Sequence, residues 1–188
     1  RRLMEMHGVD CSALPEAPYG AEVCLAVKGR LEGVFRISDT VKPDAAAAVS
    51  RLKAMGLHTA MLTGDSEPGA KAVAGEVGIE EVHAALLPQQ KLERLAAIRE
   101  KRGSVMFVGD GINDAPVLAG ADVGAAMGSG ADAAIEAADA VFMTTGAASI
   151  PESIDIARTT RRIALQNVVF ALTVKLAVML LGLMGHAS

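Results

Sequence analysis

Gly109-Asp110-Gly111-Ile112-Asn113-Asp114-Ala115-Pro116 follows directly on an apolar run, Val105-Met106-Phe107-Val108, and precedes Ala- and Leu-rich sequence of helical type. A short apolar run bounded by a turn signal reads as a buried strand. Asp110 and Asp114 therefore stand at the carboxyl end of a strand, in the turn that opens a helix, where open α/β sheets bind their ligands. Two acids at this spacing, with glycines that let backbone come close, suit Mg²⁺. That ion takes one or two carboxylates and completes its octahedron with water and phosphate oxygens. A tight turn with an Asx cap would look the same locally, so the choice rests on the rest of the chain.

The flanking sequence alternates. Leu57 to Leu62 is an apolar strand followed by Thr63-Gly64-Asp65. Glu67 to Val77 reads as a helix with Gly78 as its C-cap. A short strand near Val82 leads to Leu86-Leu87-Pro88, and Pro88 opens a helix that runs to about Arg102. After the central turn, 122–126 and 140–143 read as short strands, with helix-like sequence from Ala131 to Ala137 between them. Upstream, Ala45 to Met55 is helical and Gly56 stops it. Val23 to Val27 and Leu31 to Ile37 give a hairpin signal around Lys28-Gly29-Arg30, and residues 1 to 20 carry little pattern. Strands alternating with helices predict an α/β fold with a Rossmann-like parallel sheet.

The bulk numbers add an anchor and remove one class of partner. Aromatic residues are 3% of the 188, with no Trp, so the core must come from Ala, Val, Leu, Ile and Met. Hydrophobic content is 51%, and the mean hydropathy of +0.34 points to a membrane segment. The net charge of −4, with no long basic stripe, gives nucleic-acid binding no electrostatic support. Cys11 and Cys24 lack metal-type spacing and read as reduced thiols. No signal peptide is visible at the start, and the first residue is not Met, so a fragment is expected. Pro151 to Arg162 reads as a polar helix, and Ile163 to about Met184 as an apolar stretch of about 20 residues, the length of a membrane span; together they predict a long helix with one transmembrane span after the sheet. Arg158, Arg161 and Arg162 place its leading end in the cytoplasm.

Thr63, Lys91 and the pair Asp110/Asp114 each follow a strand or open a helix where they can face one sheet edge. A hydroxyl, an ammonium and a carboxylate-held Mg²⁺ together make a phosphate site. The wording around them, Met61-Leu62-Thr63-Gly64-Asp65, then Leu87-Pro88-Gln89-Gln90-Lys91, then Gly109 to Pro116, resembles the phosphorylation domain of P-type ATPases, within the haloacid-dehalogenase-like fold. Residues 1–35 resemble the tail of the nucleotide-binding domain and the hinge, 36–148 the second part of the phosphorylation domain, and 149–188 a stalk and one transmembrane helix. The resemblance implies that Thr63, with Gly64, bonds the phosphoryl group and Lys91 neutralises it. Asp110 and Asp114 would serve Mg²⁺, with Asn113 supporting. Asp65 would orient the turn and line the approach of ATP. Asp39 and Lys42 match a hinge element that contacts nucleotide. The D-K-T-G-T nucleophile of such pumps is absent here, so the chain alone should not form the aspartyl phosphate. Its sheet should lack the nucleophile strand and keep a slot with exposed hydrogen-bonding edges.

Lys175 lies about halfway along the apolar helix, where a charge marks function by default. Gln166-Asn167 followed by Lys175 resembles the heavy-metal branch, in its Zn²⁺/Cd²⁺/Pb²⁺ class, where the lysine pairs with a carboxylate on the next helix. Met179, Met184 and His186 are not read as metal ligands. The resemblance thus implies part of an ATP-driven exporter of a divalent heavy-metal ion, working with Mg²⁺, ATP, the remainder of the pump and a lipid bilayer. The membrane would be a bacterial plasma membrane, with residues 1–160 cytoplasmic. A copper-transporting P-type ATPase, a soluble phosphatase of the same fold, and a non-catalytic membrane-anchored truncation are the alternatives.

Overall fold

The computed structural model describes residues 2–10, 21–37, 40–110, 112–128, 132–144 and 146–183. Asp39, Met184 and His186 lie outside them. The chain divides into two units, Arg1–Ala147 and Ala148–Ser188.

The first unit opens with a short helix, α1 (Arg2–Met6), which the weakly patterned N-terminus had not announced. The hairpin follows: β1 (Ala21–Val27) pairs antiparallel with β2 (Arg30–Ile37). Lys28 and Gly29 both sit at positive φ, 52° and 78°, as the two-residue turn that matches strand twist requires. Val23, Leu25, Val27 and Phe35 are exposed.

Then the alternation begins: α2 (Ala45–Ala54), β3 (Ala60–Leu62), α3 (Glu67–Val77), β4 (Glu81–His83), α4 (Pro88–Arg102), β5 (Met106–Gly109). A 3₁₀ turn (Ile112–Asp114), α5 (Ala115–Gly120), β6 (Val123–Met127), α6 (Asp132–Ala137) and β7 (Ala140–Phe142) complete it. The predicted strand 57–62 is shortened to its last three residues. The Leu57 amide closes the end of α2, donating to the Leu52 carbonyl at 3.1 Å, and Gly56 turns the chain at φ 77°. Helix termination thus claims residues that apolarity alone assigns to a strand. Gly78, at φ 84°, caps α3 through the Ala74 carbonyl, as expected.

All strand pairs in this part are parallel, in two sheets, β3-β4 and β5-β6-β7. Among the described residues β3 bonds only to β4, and β5 only to β6. One edge of each is left open.

The core between α5, α6 and β6 sets alanines among a few larger apolar side chains. Leu118, Ala126 and Ala134 are fully buried, with Phe107, Ile135, Ala137 and Ala138 against them. Such a core works only at close range. A Cβ on Gly124 would stand 2.4 Å from the Leu118 carbonyl oxygen, so β6 approaches α5 at a distance only glycine permits.

The second unit is one helix, α7 (Ser149–Leu183), of 35 residues. The polar and apolar stretches form a single unbroken element, the long helix expected after the sheet. It is long and apolar enough to cross a membrane, and its apolar stretch is wholly exposed.

Candidate functional site: two phosphate-type turns

Thr63 is the first residue after β3. Its N–H donates to the His83 carbonyl at 3.0 Å, carrying the parallel ladder one step beyond the strand. Its hydroxyl donates to Asp65 Oδ2 at 2.8 Å, while the Asp65 N–H donates back to Thr63 Oγ1 at 3.1 Å. Asp65 therefore faces the turn. Helix α3 takes Ser66 as its N-cap residue, without a side-chain cap bond. Gly64 is exposed, and a Cβ there would meet the Leu86 carbonyl oxygen at 3.4 Å, ordinary contact.

The chain after β4 folds back over this turn. The Leu86 N–H donates to the Thr63 carbonyl at 3.0 Å, and the Ala85 N–H to the Asp65 carbonyl at 2.8 Å. Helix α4 starts at once. Gln90 Oε1 accepts the Leu87 N–H at 2.8 Å, half of a capping box, with Pro88 in the first turn. One turn in stands Lys91.

The second turn belongs to Asp114. Lys91 Nζ lies 2.7 Å from Asp114 Oδ1, and both side chains are 14% exposed. Two motifs 23 residues apart thus meet as a half-buried ion pair. Gly109 makes room for it: a Cβ there would sit 3.0 Å from Asp114 Cβ and 3.1 Å from Oδ2. Asp110 directly follows β5 and is exposed, as is Asn113 in the 3₁₀ turn. Among the described residues no three His, Cys, Asp or Glu are grouped to hold a metal. An ion here would rest on one or two carboxylates plus water and phosphate, the donor set Mg²⁺ accepts. Lys42 is exposed ahead of α2. Lys175 stands in the second unit, within α7.

A cluster that sequence reading missed supports β4 from the side. Glu81 Oε1 lies 3.1 Å from His83 Nε2, Oε2 lies 2.5 Å from His58 Nε2, and Arg102 stands 4.0 Å away. The hydrogen bond with His83, then the one with His58, holds the Glu81 carboxyl below its ordinary range. The Glu81/His83 spacing puts both on one strand face, but nothing in the sequence brings His58 to them.

The sequence and the fold have counterparts among known proteins. A model of the haloacid dehalogenase-like hydrolases matches residues 11–122. The cadmium, zinc and cobalt-transporting ATPase of Bacillus subtilis is 48% identical over 193 residues, which span 100% of this chain and 27% of that protein. The zinc-transporting ATPase of Synechocystis is 46% identical over 191 residues, 100% of this chain and 26% of that one. The crystal structure of a zinc-transporting PIB-type ATPase in its E2·Pi state superposes with a TM-score of 0.83 at 34% identity, covering 100% of this chain and 29% of the other. The chain spans roughly a quarter of the length of these relatives.

Proposed function

The chain belongs to the haloacid dehalogenase-like hydrolase family, and from that premise we propose that it is the second part of the phosphorylation domain, with the following membrane helix, of a P-type ATPase that exports Zn²⁺ or Cd²⁺. The observation that carries this reading is the Lys91–Asp114 pair at 2.7 Å, which joins the lysine and the acidic turn in one half-buried place. The names of the relatives and the position of Lys175 support the choice of ion, with Pb²⁺ in the same class.

In this reading the aspartate that takes the γ-phosphoryl group of ATP comes from outside the chain. Thr63 turns its hydroxyl proton from Asp65 Oδ2, its partner at 2.8 Å, to a phosphoryl oxygen, while the Asp65 N–H, 3.1 Å from Oγ1, keeps the oxygen in place. Lys91 offsets phosphate charge while Asp114 fixes its ammonium. Asp110 and Asp114, with Asn113 beside them, would hold Mg²⁺. Bound there, Mg²⁺ supplies further charge neutralisation to the oxygens in flight. Lys42 and Asp65 would serve the incoming ATP, and so would Asp39, which lies outside the described residues. Helix α7 enters a bacterial plasma membrane with residues 1–160 on the cytoplasmic side, and Lys175 serves as counter-charge to a carboxylate on a neighbouring helix.

The test is made on the full-length protein containing this chain. Zn²⁺ or Cd²⁺ should stimulate an acid-stable phosphoenzyme from ATP, and Asp110→Ala should abolish it. Stimulation by copper alone would move the assignment to a copper pump. Hydrolysis of small phosphate esters without a phosphoenzyme would make the chain part of a phosphatase.

A further inference from the structure

Ala85 is a non-glycine residue in the left-handed backbone region, at φ 52°. The other such residue among those described, Lys28, sits in a hairpin turn that demands it. Ala85 has no hairpin to explain it. It lies between β4 and α4, in the stretch that folds over the Thr63-Gly64-Asp65 turn. A side chain at positive φ is strained, and such strain persists only where the surroundings impose it, often beside functional sites.

Three main-chain bonds impose it here: Thr63 N–H to His83 C=O at 3.0 Å, Leu86 N–H to Thr63 C=O at 3.0 Å, and Ala85 N–H to Asp65 C=O at 2.8 Å. The first extends the strand ladder. The other two require the chain to reverse at residue 85, so that two successive amides point back at the turn. Leu87 and Pro88 then start α4, and Lys91 follows within one turn. The Thr63 turn and the Lys91 helix thus share one short backbone tie whose pivot is Ala85.

We propose that Ala85 is a positioning residue for the phosphate site: its left-handed conformation latches residues 83–86 onto the Thr63-Gly64-Asp65 turn and so fixes the Thr63 hydroxyl relative to Lys91. The assignment rests on the phosphoryl-transfer reading above. Ala85 is itself exposed, so a larger side chain there meets solvent and acts through the backbone alone. That gives the position a signature. Asparagine and glycine adopt positive φ readily, and β-branched residues do not.

The experiment compares Ala85→Asn, Ala85→Gly and Ala85→Val in the full-length protein. The first readout is the concentration of inorganic phosphate needed to half-saturate phosphorylation from phosphate. The second is amide exchange across residues 61–66, without metal or nucleotide. Ala85→Val should raise the phosphate requirement by about tenfold, the scale of one disfavoured backbone conformation, and speed exchange at 61–66. Asn and Gly should stay within about twofold of wild type in both, as the same strain argument implies. Equal behaviour of Val and Asn in a folded protein would overturn the assignment. Should Val prevent folding, Asn decides: wild-type-like values uphold the latch, and a tenfold loss ends it. If the wild-type protein takes up no phosphate, the pump reading falls, while the exchange comparison still judges the latch.

Discussion

The Thr63 and Asp114 turns are built on opposite plans. The Thr63 turn is held by main chain: three backbone bonds secure it, its own side-chain bond joins Thr63 to its near neighbour Asp65, and Gly64 and Asp65 are exposed. The Asp114 turn is held by side chains: a charge pair spanning 23 residues, each partner 14% exposed, beside a glycine that gives it room. Main-chain bonding fixes a position whatever charge arrives, because amides do not titrate or rearrange. A paired charge is different, since either partner can exchange its contact for a ligand's. The molecule thus keeps one turn as a fixed rest and the other as an adjustable clamp.

The sharpest way to break the contrast is Asp114→Ala, which takes the carboxylate from a half-buried ammonium. Loss of one partner costs about 3–5 kcal/mol where a pair is fully buried; the low end of that range is expected here, and urea unfolding of the full-length protein's cytoplasmic part should show it. Replacing both partners, Lys91→Met with Asp114→Leu, should recover much of that loss while leaving phosphorylation absent. If the single variant unfolds at the wild-type midpoint, the clamp is not held by charge.

A smaller effect is expected at Gly124, behind the clamp. An alanine there must push backbone away from the Leu118 carbonyl. Overpacking of this kind costs about 1–3 kcal/mol, read as a lowered midpoint of thermal unfolding. A comparable loss is not expected from Gly64→Ala, where a Cβ finds ordinary contact at 3.4 Å. Equal losses at the two glycines would erase the difference in packing between the turns.

The smallest effect sharpens the account of the main-chain turn through its side support. The folded Glu81 carboxyl is held below its ordinary 4.5. Its stabilising contribution is therefore fully present above that value and is lost as pH falls through the lower folded one. The pair is partly exposed, so about 1 kcal/mol or less is at stake. The drop in stability between about pH 5 and pH 3, where carboxylates titrate, should be shallower in Glu81→Gln. An unchanged slope would remove Glu81 from the support of β4.

Much of this was legible because punctuation and chemistry coincide in the chain. Gly78 and Pro88 bracket elements where backbone rules say they should, and each acidic or hydroxyl motif follows an apolar run. Where reading by apolarity erred, at Leu57, a helix end competed for the same residue. The Lys91–Asp114 contact and the His58–Glu81–His83 cluster depend on tertiary placement, which local pattern does not carry. Ala85 was invisible for another reason: sequence rules expect glycine or asparagine at positive φ, so an alanine forced there by its neighbours leaves no mark. The joining of polar and apolar stretches into the one long helix α7 was legible as well, because a helix backbone is indifferent to their contrast in composition.

That continuity has a mechanical meaning. From Ser149 to Leu183 the helix extends about 50 Å at 1.5 Å per residue, with its proline confined to the first turn, and kinks need a proline, a bulge or an inserted group. Such a rod transmits torque. A twist or tilt imposed at its arginine-bearing end is carried toward Lys175 along one backbone, with no proline between them to serve as a hinge.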